Sequence, residues 1–304
     1  MDYQAVRGAF FGEPPTGATP EVVATAAPAR RLRDALEPLA MHAVWSPDTN
    51  AALGERGLDF FSGYVCGRGA PLGEVPSAVV AATFAVFEPG VIDHCWTSGR
   101  ALLGLDELLA VRDASTTASL RSVLGPVADE TAVARVAEQL EGALDGLDGT
   151  GRVLFSALRA RPRQSDPFAR LWQAADAVRE HRGDSHVAAC VAAGLDPVRM
   201  NVLTEVWVGY PVGEYSASRA WPAERQAAAV AGLEADGLLA DGRLTAAGRA
   251  LRDGIEQATD AAQAGLVRAL GDRLPALTEQ LDAWSKRCVE AGAFPPDARK
   301  RAAG

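Results

Sequence analysis

The chain has 304 residues, 48% of them hydrophobic and 23% charged, with a formal net charge of −9. That balance suits one or two globular domains with proper cores and excludes a disordered or fibrous chain. The acidic excess argues against a broad surface for phosphate backbones, because nonspecific nucleic-acid affinity comes from clustered Arg and Lys.

Lys286 and Lys300 are the only lysines, so nearly every cation is an arginine. Cys66, Cys95, Cys190 and Cys288 are far apart and form no CxxC pair, which points to buried free thiols instead of a zinc knuckle or disulfide framework. No apolar run reaches the roughly 18 residues of a spanning helix. The opening MDYQAVRGAFF lacks a basic region followed by an apolar core, so a cytoplasmic protein without membrane contact is expected.

Residues 1–28, with Pro14, Pro15, Pro20 and Pro28 and no clear period, read as an extended arm. A helical domain is expected over 29–148. Its first helix begins near Ala29, carries Leu32, Leu36, Leu39 and Ala43 on one face and is kinked or ended by Pro38. DTNAALGERGLDFFSGYVCG predicts a second helix leading into a GRGAPLG loop at 67–73, and VPSAVVAATFAVF stops at Glu88-Pro89-Gly90. A helix from Leu102 to Leu124 is expected to break at Ser115-Thr116-Thr117, and ADETAVARVAEQLEGALDGL predicts an amphipathic helix closed by a Gly-rich stretch at 145–151.

From 149 to 262 the pattern predicts helices with a small hairpin. Asp166 caps a helix with Pro167 in its first turn, Gly183 ends that helix, and Asp184 or Ser185 caps a short one that Gly194 closes. Asp196-Pro197 opens the next helix. Another helix ends at Gly237, Asp241-Gly242 marks a tight hairpin, and Thr245 caps the helix after it. Residues 263–292 read as an amphipathic C-terminal helix that either pairs with a second copy, giving a homodimer, or closes the domain, and 293–304 as a loose tail.

The stretch LEADGLLADGRLTAAGRALRDGIEQATD resembles the end of the recognition helix, the wing and the following helix of MarR-type winged helix-turn-helix proteins, through Leu233, Gly237, Leu238, Leu244, Thr245, Gly248 and Arg249. The whole chain also resembles a group of functionally obscure actinobacterial helix-turn-helix proteins carrying GRxAPLG and EHRGDxH, here Gly67 to Gly73 and Glu180 to His186. These resemblances imply a mainly α fold: a helical N-terminal domain followed by a winged helix-turn-helix domain with a small β-hairpin wing.

Setting Gly194 as the turn glycine puts Cys190, Leu195, Met200 and Leu203 inward and Asp196, Pro197, Val198, Asn201 and Val202 outward, with Arg199 the only cation nearby. Asn201 alone suits base readout. The helix before the wing adds Arg225 and Gln226, and the wing adds Arg243. Glu180 to Asp260 nevertheless holds seven Arg and no Lys against twelve acids, so a DNA-binding regulator is the second reading.

The first reading is a small-molecule site between the halves, with catalysis left open. His181, Arg182, Asp184 and His186 lie within six residues. Arg68 and Arg182 can clamp an anionic group, with Tyr64, His181 and Asp184 beside them and His186 or His42 as acid or base. Each has a plainer alternative: Asp184 as a cap, Arg182 as a helix-end cation, His181 as a surface residue, and His186 and His42 as hydrogen-bonded core histidines. Phe60, Phe61, Tyr64, Phe84 and Phe87 either line a pocket or fill the core. His181 and His186 are five apart, not the i, i+4 pair of a helical zinc site. No P-loop, GxGxxG after a strand, or GxSxG elbow is present, so no metal is expected and no cofactor is indicated.

Overall fold

In the computed structural model the described residues are 3–12 and 27–303. The fold is mainly α. Helix α1 covers Tyr3–Phe10, followed by α2 (Pro28–Ala40), α3 (His42–Trp45), α4 (Pro47–Gly54) and α5 (Phe60–Gly69). Then come α6 (Ser77–Phe84), α7 (Pro89–Leu102), α8 (Leu105–Leu124) and α9 (Glu130–Asp145). The second half holds α10 (Val153–Arg159), α11 (Pro167–Ala192), α12 (Pro197–Trp207) and α13 (Ala223–Ala235). Strands β1 (Leu239–Ala240) and β2 (Arg243–Leu244) form an antiparallel hairpin, and α14 (Ala246–Ala261), α15 (Ala264–Leu270), α16 (Leu274–Glu290) and α17 (Ala298–Ala303) complete the chain.

Local chemistry explains most boundaries. The side chains of Asp129, Asp166, Asp196 and Thr245 each accept a backbone N–H of the first turn they precede, satisfying donors that have no partner inside the helix. Asp241 (φ 50°) and Gly242 (φ 69°) both occupy the left-handed region between β1 and β2, as a two-residue hairpin turn requires. Pro38 lies inside α2, which ends two residues later at Ala40.

Several expectations are corrected. Residues 47–69 form two helices, because Gly57 turns at φ 88° and Asp59 caps a new start. The Arg68–Gly73 loop is the end of α5 followed by a single 3-10 turn, Ala70–Leu72. Pro89 and Gly90 begin a helix, with the Glu88 carboxylate accepting the Val91 N–H at 2.8 Å. Helix α8 runs unbroken, since Ser115 and Thr117 hydroxyls donate to carbonyls one turn back, Val111 and Asp113, which lets them stay helical.

Gly183 does not end a helix either: α11 continues for 26 residues to Ala192. The Asp184 carboxylate accepts the backbone N–H of Phe155 at 3.0 Å, so it caps the first turn of α10 from outside. The expected arm at 1–28 is helical over α1, while 13–26 lies outside the described residues. The tail is helical over α17, with Arg299 and Ala302 buried. The expected C-terminal helix is interrupted at Gly271 (φ 52°). The apolar face of α16, including Leu277, Leu281 and Trp284, is covered within the chain by α2.

One large core runs from Leu32 to Cys288 and takes residues from both sides of 145–151, including Leu140, Leu154 and Trp172. A smaller core joins Cys190, Leu203, Leu233, Leu239 and Ile255. Helix α11 belongs to both, its first half in the large core and Cys190 in the small one. Among the described residues no single helix is long and apolar enough to cross a membrane.

Gly248 packs against Leu238, the residue before β1, so closely that a Cβ there would overlap the Leu238 carbonyl. Gly248→Ala is expected to cost about 1–3 kcal/mol as the hairpin is pushed off α14, read as a lowered midpoint in urea with the helical content of the native state unchanged.

Candidate functional site

The turn between α11 and α12, residues 193–196, contains Gly194 at φ 74°, and the two helices meet at 110°. That is the geometry of a helix-turn-helix. Cys190, Leu195, Met200 and Leu203 are buried at the crossing. The expected outward face is not outward, however: Val198, Asn201 and Val202 are all buried. Asn201 donates to the Val86 carbonyl at 2.8 Å, so its amide serves the join between the halves and does not face solvent. Helix α12 is covered by α13, α14 and the 210–219 segment.

Helix α13, which precedes the hairpin, is the exposed one. Its outer residues include Glu224, Arg225, Ala227, Ala228, Ala231 and Glu234. Gln226 donates to the Trp221 carbonyl, Arg225 lies over the Trp221 ring at 5.7 Å, and Arg199 is paired with Asp236. Arg243 is exposed on the hairpin. From Pro222 to Leu244 there are four acids and two arginines.

A concave surface lies instead between the large core and the segment 201–221. The Val86 carbonyl also accepts from Trp221 Nε1 at 2.9 Å, and the Glu88 N–H donates to the Arg219 carbonyl at 3.0 Å. Buried Glu205 accepts four hydrogen bonds, from the N–H groups of Gly213, Tyr215 and Ser216 and the Ser216 hydroxyl. It thereby fixes the segment that carries Tyr215 and Arg219. Burial raises the Glu205 carboxyl, against the lowering effect of those bonds.

Two adjoining spaces result. A cavity of about 520 Å³ is lined by Trp45, Phe60, Phe61, Tyr64, Phe87 and Tyr215, with Arg219 and Lys300 among its polar groups. A smaller one of about 130 Å³ is lined by Arg68, Arg182, Asp184 and His186 and shares Tyr64, Phe87, Arg179, Tyr215 and Arg219 with the first. The structure therefore brings Arg68, Tyr64, Arg182, Asp184 and His186 together. His181 and His42 line neither space.

Their partners limit what these groups can do. Arg68 forms a two-pronged pair with Glu180, at 2.8 and 2.9 Å, with its guanidinium 4.4 Å from the Phe84 ring. Arg182 is paired with Glu256 and Asp260. Both clamps are therefore already occupied. Burial pushes the Glu180 carboxyl up, but Arg68 and Arg179 outweigh it and hold it below the usual carboxylate range.

His186 lies 3.2 Å from the Thr259 hydroxyl through Nδ1 and 3.6 Å from the Cys190 sulfur through Nε2. Burial, reinforced by Arg252 and Arg182, keeps it neutral, and burial lifts the Cys190 thiol to about 11. His181 meets Gln263 at 2.6 Å and packs edge-on against Phe155. His42 is fully buried, 3.1 Å from the Ser119 hydroxyl, and burial lowers it to about 4. Burial raises Asp184 to about 6, against the lowering pull of the Phe155 N–H.

Sequence reasoning missed Arg179, Arg219, Lys300, Trp45 and Tyr215. Arg179 lies one residue before the noted EHRGDSH stretch, and Tyr215 and Arg219 lie in a Gly- and Pro-containing loop with no motif of its own.

The model of a helix-turn-helix family matches residues 29–295, most of the chain. The protein belongs to that family. No curated protein matches it, and no solved structure does.

Glu180→Ala leaves Arg68 without its carboxylate and removes one of two from Arg179, so a loss of about 3–5 kcal/mol is expected in chemical denaturation. A second outcome concerns pH. The folded pKa of His42 is below its unfolded value of about 6.5, so its contribution to stability is complete above that value and is lost as pH falls toward 4. Denaturant melts at pH 7 and 4.5 should show His42→Gln gaining stability relative to the parent as pH drops, by about 2–3 kcal/mol; a constant difference would refute the assignment.

Proposed function

We propose that this member of the helix-turn-helix family is a small-molecule-binding protein, using a winged-helix scaffold of MarR type to close a ligand site between its two halves. The observation that carries the reading is the 520 Å³ aromatic cavity continuous in its lining with the Arg68, Arg182 and His186 cleft. Its volume falls within the about 300–1,000 Å³ of ligand pockets, and apolar walls with a few polar groups are what such pockets use. His186 is the histidine that would exchange a proton with an occupant if the site is catalytic.

Family membership supports a second reading, a DNA-binding regulator with the same cavity as its effector site. Helix α13 and the hairpin would then meet DNA through Arg225 and Arg243. Against it stands the acidic balance of that surface, four acids to two arginines, where phosphate contact wants clustered cations.

The test uses a neutral solvatochromic dye such as Nile red on the full-length protein. Saturable binding at one site per chain is expected, together with its loss in Ala217→Trp, which places an indole at a lining position and should leave the thermal melt unchanged. Dye binding that ignores the indole defeats the reading. Recovery of particular fragments from a random DNA pool at 0.15 M salt, abolished by Arg225→Ala, transfers the conclusion to the regulator.

A further inference from the structure

Most arginines around the cavity have carboxylate partners: Arg33 has Asp34 and Glu37, Arg68 has Glu180, Arg179 has Glu37 and Glu180, and Arg182 has Glu256 and Asp260. Two lining cations stand outside this pairing. Among the described residues neither Arg219 nor Lys300 forms an ion pair with a carboxylate.

The Arg219 guanidinium lies 4.4 Å from the Tyr215 ring centre and 4.9 Å from that of Phe87. It donates to the Ser218 hydroxyl at 2.8 Å and to the Tyr215 hydroxyl, and its buried Nε has no acceptor. Two rings and a backbone bond to Glu88 thus fix a planar cation whose direct side-chain partners, Ser218, Tyr215 and Phe87, are neutral. Arginine so held is suited to a planar carboxylate, because its fork is pre-organised. Lys300 Nζ donates to the Phe10 carbonyl at 2.8 Å and sits 4.2 Å from the Phe10 ring. The nearer carboxylates do not cancel this charge: Asp297 is held by Arg299 and Tyr210, Glu37 by Arg33 and Arg179, and Glu214 is exposed.

We propose that the cavity takes a planar aromatic carboxylate, with its rings among Trp45, Phe60 and Phe87 and its carboxylate on Arg219, Lys300 adding a second positive charge to the same space. This identification rests on the reading of the cleft as a small-molecule site. It moves the anion grip from Arg68 and Arg182, whose donors are taken, to two residues outside both sequence motifs.

Displacement of the bound dye separates the two ideas. 2-Naphthoate and its neutral isostere 2-naphthamide are titrated against the dye-loaded full-length chain. The carboxylate is expected to displace dye at least tenfold more effectively. Arg219→Gln should bring the two within threefold of each other while dye still binds, and Arg219→Lys, which keeps the charge without the fork, should fall between. Equal displacement by acid and amide in the parent protein overturns the proposal and leaves the cavity reading standing, as does dye binding that neither compound displaces. A tenfold preference that survives Arg219→Gln also overturns it. Failure of the dye itself to bind defeats the underlying reading.

Discussion

The arrangement depends on a line of buried carboxylates and arginines centred on α11. Glu180 joins α11 to α5 through Arg68, Arg179 joins it to α2 through Glu37, and Arg182 joins it to α14 through Glu256. Glu256 also takes Arg30 from α2 and Arg252 from its own helix. Burial raises the Glu256 carboxyl, but Arg30, Arg182 and Arg252 together hold it far below the usual range. Such pairs add little net stability compared with apolar residues of the same volume, yet leaving one charge alone in the interior costs several kcal/mol. Their effect is therefore one of register: sliding α11 by a turn would strand charges on three neighbouring helices at once. The cleft inherits that precision, since its rear wall is the same face of α11.

This pairing also accounts for what could and could not be read from the sequence. Features settled within a few residues were legible: the caps at Asp166, Asp196 and Thr245, the Asp241-Gly242 turn, the Leu32, Leu36 and Leu39 face, and the mainly α fold. Gly183 and the Ser115 cluster misled because they have the composition of breaks. Their helices persist for reasons that lie elsewhere, in packing on two cores and in hydroxyls bonded to the preceding turn. Asp184 is the clearest instance: a residue with the chemistry of a cap does cap a helix, but one that lies earlier in the chain, beginning at Val153.

The same limit applied to the site. The sequence gathered Arg68, Arg182, Asp184 and His186 into one neighbourhood, and they do line one space. It had no means of telling an arginine already facing a carboxylate from one that is not, because Glu180, Glu256 and Asp260 become partners only on folding. Arg219 was unremarkable in a loop without a motif. Its setting is created by Glu205, a fully buried residue on α12 that gathers the loop's N–H groups around one carboxylate. That burial sets α12 into the wall of the smaller space, which Met200, Asn201 and Thr204 line.

The clasp between α2 and α16 has a consequence for how the chain is made. Leu32, Leu36 and Leu39 find their cover in Leu277, Leu281 and Trp284, and Ser285 donates its hydroxyl to the Ala35 carbonyl. Helix α2 therefore leaves the ribosome long before α16, its cover, has been made. Contacts so distant in sequence carry a closure entropy that slows the search, and an apolar face left open during synthesis is open to other chains. Nascent chains stalled before residue 274 would show this directly as species held by chaperones, with α2 protected only once α16 has emerged.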